Sequence, residues 1–157
     1  MSVIEGARTA ENDGHAAGMC IEDVTISSAE VLALNATPKE LIPAPGANKA
    51  IIFLGAMIHK PAGTAYAGIA AGEDLAIKYT NGSGLDLGQC EMTGFADQTT
   101  AQTRYLRPVV QGTAPISSFT PAANAALVAH MVVGEITTGD SPFRLRIFYQ
   151  IVDTVLS

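Results

Sequence analysis

The chain has no tryptophan, only two cysteines in 157 residues, and charged side chains at just 15% of positions. Each shortage excludes something. Cys20 and Cys90 lie far apart, with no C-x-x-C spacing, so a zinc ribbon and a thioredoxin-type redox motif are ruled out, and two buried thiols are expected. The longest apolar stretch, Ala50 to Ile58, is about half of the ~20 residues that a membrane-spanning helix requires. The first twenty residues have no cationic segment leading into an apolar one, so no secretory signal and no membrane association are expected. Lysine and arginine total 9 against 15 aspartates and glutamates, for a net charge of −6. Without a basic stripe there is no face to neutralise phosphates, and direct nucleic-acid binding is excluded.

The negative charge is unevenly placed. Residues 1–30 contain Glu5, Glu11, Asp13, Glu22, Asp23 and Glu30 against Arg8 alone. Residues 1–22 are rich in Gly, Ala, Asn and acids and follow neither a helical nor a strand period. They read as an extended N-terminal arm that gains order on a partner, with Glu5, Arg8, Glu11, Asp13, Glu22 and Asp23 as its candidate interaction residues. Residues 23–157 read as one packed domain.

In that domain Val24 and Ile26 alternate with Thr25 and Ser27 as a short strand. Ser27-Ser28-Ala29-Glu30 has the Ser-x-x-Glu spacing of a capping box and opens one helical turn through Leu34. Glu40 to Ile42 is a brief strand ended by prolines, and Lys49 to Lys60, apolar on both faces, is a central strand. Pro61 to Gly72, nearly all small residues, reads as a loop that cannot fill a core. Leu75 to Tyr79 and Leu85 to Met92 flank Asn81-Gly82, a strong hairpin signal. Thr93 to Gln98 is a turn or short helix, and Tyr105 to Val110 is a strand that Pro108 confines to an edge or a bulge. Asn124 to Val133 and Phe143 to Val152 are expected to pair as a hairpin through Thr137 to Asp140; in the second run Phe143, Leu145, Ile147, Tyr149 and Ile151 face one way. Short strands in this number, with frequent turns and almost no helix, define an all-β antiparallel β-sandwich or jelly-roll-like single domain.

Candidate chemistry is sparse. His15, His59 and His130 have no second imidazole or thiol at metal-binding spacing, so no metal site is assigned. Gly82, Gly84 and Gly88 precede a strand rather than a helix and cannot cradle a pyrophosphate. Glu22-Asp23 and Glu73-Asp74 are neighbours whose side chains diverge in extended chain. With no nucleophile elbow, HExxH or P-loop lysine, no catalytic residue and no cofactor are assigned, and the chain does not read as an enzyme. Arg144 and Arg146 share a strand face with Gln150, which they either keep solvated or present to a neighbouring subunit's carboxylates.

Val24-Thr25-Ile26-Ser27-Ser28-Ala29-Glu30-Val31-Leu32-Ala33-Leu34-Asn35, then Thr37-Pro38-Lys39-Glu40-Leu41-Ile42-Pro43-Ala44-Pro45-Gly46-Ala47-Asn48-Lys49, then Thr93 to Gln98 and the closing Phe143 to Ile151 resemble small virion proteins of tailed phages, of the capsid decoration or head-cement type. The resemblance spans roughly residues 23 to 152; the acidic arm departs from it. It implies a structural protein of the virion, made in the host cytoplasm and carried on the capsid surface. The implied partner is the major capsid protein, and the implied form is a homo-oligomer, trimer or dimer. A receptor-binding or tail-fibre module displaying Pro61 to Gly72 to host glycans is the alternative, disfavoured by an aromatic content of 6%.

Overall fold

A computed structural model describes residues 18–108 and 118–155. Among the described residues, eight strands form two four-stranded antiparallel sheets. They are β1 (Cys20–Ile26), β2 (Lys39–Ile42), β3 (Lys49–Lys60), β4 (Asp74–Tyr79), β5 (Asp86–Glu91), β6 (Gln102–Leu106), β7 (Leu127–Met131) and β8 (Phe143–Asp153). The first sheet runs β1-β8-β3-β6 and the second β2-β7-β4-β5. The expected all-β sandwich is what forms.

The inner faces supply one core. Ile26, Ile51, Ile58, Phe143 and Ile147 from the first sheet and Leu75, Ile77, Leu127 and Met131 from the second are all fully buried. Strand β8 alternates as expected, with Phe143, Leu145 and Ile147 inward and Arg144 and Arg146 outward. Phe143 sits edge-on between Tyr66 and Phe95, with both ring centroids at 5.4 Å, a preferred aromatic geometry.

One helical turn, α1 (Ser28–Val31), follows β1 through the expected capping box. The Ser27 hydroxyl accepts from the Glu30 amide at 3.3 Å, and the Glu30 carboxylate accepts from the Ser27 amide at 2.8 Å. Both otherwise orphaned donors are satisfied. Lys39 adds an ion pair to Glu30 at 2.6 Å. Together with the Ser27 contacts, it holds the Glu30 carboxyl down at about 2.

Three readings need correction. Strands β7 and β8 do not pair: β7 lies between β2 and β4, whereas β8 lies between β1 and β3 in the opposite sheet. All of β7 is buried while β8 alternates, and strands with such different faces belong to different environments. The Asn81-Gly82 signal, by contrast, marks the β4–β5 hairpin as expected. The connection takes residues 80–85, and Thr80, not Asn81, carries the positive φ of 66°. Pro61 to Gly72 is a loop, yet it does fill core space. Its single aromatic, Tyr66, is buried and donates its hydroxyl to the Ser141 carbonyl at 2.6 Å. Finally, β1 begins at Cys20, so Glu22 and Asp23 are strand residues opposite Ile147 and Arg146.

Candidate interaction surface

The two outer faces of the sandwich are built differently. In the first sheet, Asp23, Arg146, Met57 and Tyr105 are successive cross-strand neighbours, one from each strand. All four point away from the core, because the residues beside them (Leu145, Ile147, Ala56, Ile58, Leu106) are buried and strand side chains alternate. Tyr105 is 53% exposed and Met57 38%. The neighbouring row, Thr25, Arg144, His59 and Thr103, is more polar, and His59 Nδ1 lies 2.9 Å from the Thr103 hydroxyl.

Gly55 makes room for this arrangement. It sits at a bulge in β3 with φ of 143°, and a side chain there would collide with the Tyr105 hydroxyl. Tyr105 therefore lies flat across the face over backbone. The result is a pair of large apolar side chains beside a charged pair, the composition that marks contact surfaces.

Asp23 and Arg146 form a two-pronged ion pair within the chain, with Nε donating to Oδ1 at 2.8 Å and the other nitrogen to Oδ2 at 2.7 Å. The guanidinium holds the Asp23 carboxyl below its ordinary range. Arg146 is thus engaged internally rather than held open for another subunit. Asp23 is ordered on the same face as Met57 and Tyr105, whereas Glu22 lies on the other side of β1. The remaining candidates Glu5, Arg8, Glu11 and Asp13, together with His15, lie outside the described residues.

Several polar side chains, some buried and some exposed, hold loops to this scaffold and are invisible as a group in the sequence. The Glu73 carboxylate accepts from the amides of Val133 and Gly134, both at 2.9 Å. Lys60 is fully buried and donates to the Gln98 carbonyl at 2.6 Å. Asp140 accepts from the Thr64 amide and hydroxyl at 2.7 and 2.9 Å, tying loop 61–72 to the β7–β8 connection. Glu73 and Asp74 diverge as expected, and Glu73 is structural. Lys78 forms an ion pair with Asp86 at 3.0 Å and donates a hydrogen bond to the Gly82 carbonyl at 2.8 Å.

Both cysteines are buried and no disulfide joins them. Cys90 lines a cleft of about 240 Å³ with Glu91, Arg104 and Tyr105. Burial pushes its thiol up to about 12, which removes the thiolate that nucleophilic chemistry needs. Among the described residues no group of three or more His, Cys, Asp or Glu is placed to hold a metal ion, and no helix is long and apolar enough to cross a membrane.

No protein-family model and no curated protein matches the sequence. Among solved structures the chain is similar to a chain of the cyanophage Pam1 capsid asymmetric unit, at 14% identity and a TM-score of 0.47, with 87% of each chain covered.

Proposed function

We propose that this protein is a structural component of a phage virion, of the capsid decoration type, binding the outer shell through its acidic leader and the exposed face of the first sheet. The observation that carries the reading is the continuity between them. The chain that contains Glu5, Glu11 and Asp13 leads directly into β1, the edge strand of the sheet that exposes Met57 and Tyr105. An arm attached to a rigid β-body can gain order across a neighbour without disturbing the fold that anchors it.

The segments that resemble virion proteins are structural throughout. Val24 to Asn35 spans the end of β1 and the capped turn, Thr37 to Lys49 contains β2, Thr93 to Gln98 seats Phe95 in the core, and Phe143 to Ile151 is β8. The strand orders 1-8-3-6 and 2-7-4-5 support reading the sandwich as an eight-stranded jelly roll, an architecture used in viral shells among other places. On this reading the partner is the major capsid protein, the assembly is a trimer or dimer, and weak contacts are multiplied by valency over the particle. The glycan-display alternative loses support because Tyr66, the aromatic of loop 61–72, is in the core.

Deleting residues 2–17 leaves β1 intact and tests the reading directly. The truncated protein is expected to keep its melting temperature but to lose occupancy on particles, which then become more heat-sensitive. Unchanged occupancy and unchanged heat resistance would refute the role of the arm.

A further inference from the structure

The outer face of the second sheet should be wet, as an exposed sandwich face usually is. It is not. Ala76, Lys78, Val128 and His130 all lie on it, and all are buried, Lys78 and His130 each at 8% exposure. The cover is the 80–85 connection, which folds back across β4 and β7. Its Gly82 carbonyl accepts from the Lys78 ammonium, and it passes so close to His130 that a Cβ at Gly82 would stand 2.6 Å from Nε2. On its other side the imidazole meets the backbone of Asn35, whose side chain is fixed to the Met131 carbonyl at 2.7 Å. His130 Nδ1 is buried and has no hydrogen-bond partner.

We propose that His130 is the trigger of an acid-released latch: a proton on its imidazole places a second buried cation beside Lys78 and drives the 80–85 connection off the sheet. The carboxylates near the ring are already committed elsewhere, although one buried oxygen of Asp86 has no hydrogen-bond partner. From β5, Asp86 is already paired with Lys78. From the start of β4, the Glu73 carboxylate is held by the Val133 and Gly134 amides. The chain after α1 contributes neutral Asn35, and β2 begins at Lys39 opposite Ala129, with Glu40 beside Val128.

Burial first, and then Lys78, hold the imidazole below the ordinary histidine range, against smaller opposing pulls from Asn35, Asp86 and Glu73. The sign follows. A detached or unfolded ring takes a proton near its usual pKa of about 6.5, whereas the latched ring takes one only at lower pH. The latched form is therefore fully favoured above that value and loses ground as pH falls below it.

The test is amide exchange of the full chain at about pH 7.5 and about pH 5, corrected for the intrinsic rate, with the ring followed by NMR. The probe is the Thr80 amide, which donates to the Ala126 carbonyl at 2.9 Å and must let go when the connection lifts. Its protection is expected to fall at least tenfold at the lower pH while the amides of β3 keep theirs. His130→Gln should abolish the pH response, and Lys78→Met should weaken it. Equal protection at both pH values, or an equal fall in His130→Gln, would overturn the proposal. Should His130→Gln fail to fold, the wild-type chain still decides: a ring titrating at its ordinary pKa with Thr80 unmoved contradicts the latch.

Discussion

The two outer faces teach opposite lessons about how a thin sandwich treats its second surface. The second sheet is sealed by its own chain, with the 80–85 connection over Lys78 and His130 and a buried ion pair beneath it. The first sheet leaves Met57 and Tyr105 exposed next to a solvent-facing Asp23–Arg146 pair. Disturbing the sealed face should cost the fold itself. Disturbing the open one should cost association, because its side chains contribute little to the core.

The largest effect is expected at Gly84, where a Cβ would overlap the Tyr79 carbonyl oxygen. Backbone cannot swing away as a side chain can, so Gly84→Ala should destabilise the protein by about 3 kcal/mol or more, read by denaturant unfolding. A loss under about 1 kcal/mol would mean that the cover is loosely held. Next comes Asp86→Ala, which strands the Lys78 ammonium at 10% side-chain exposure and should cost about 3 kcal/mol. Replacing both partners by apolar residues, as in Lys78→Met with Asp86→Leu, should recover most of that loss, since burying two charges is itself costly. If the double variant proves no better than the single, the pair contributes more than its desolvation removes. The smallest effect on folding is expected on the open face. Met57→Ser with Tyr105→Ser should change stability by less than about 1 kcal/mol yet lower particle binding at least tenfold. A large stability loss with intact binding would reverse the assignment of the two faces.

How far the sequence foretold this arrangement depends on the range over which each feature is determined. The capping box of Ser27 and Glu30 was legible because both reciprocal bonds span three residues. Strand β8 was legible because over Phe143, Arg144, Leu145, Arg146 and Ile147 one face is exposed and the alternation is clean. The partners of β7 were not legible. Pairing in a sandwich joins residues far apart in sequence, as Lys39 of β2 and Ala129 of β7 are. A nearby apolar run joined by a Gly-Asp turn therefore looks like a hairpin partner. The unbroken burial of Leu127 to Met131 was the available signal, since an alternating strand makes a poor neighbour for one covered on both faces. The interaction face was half legible. Asp23 was singled out for its charge, whereas Met57 and Tyr105 became a unit only when β3 and β6 were seen to pair. The seal over the second sheet was not legible at all, because Lys78, His130 and Gly82 come together only through the fold.

Imaging an intact particle at residue resolution addresses the central claim most directly. The account predicts copies of the sandwich on the outer capsid shell, with residues 1–17 and the Met57–Tyr105 face against neighbouring subunits and the 80–85 side toward solvent. Copies confined to the tail, or seated on the shell with Met57 and Tyr105 facing solvent, would contradict it.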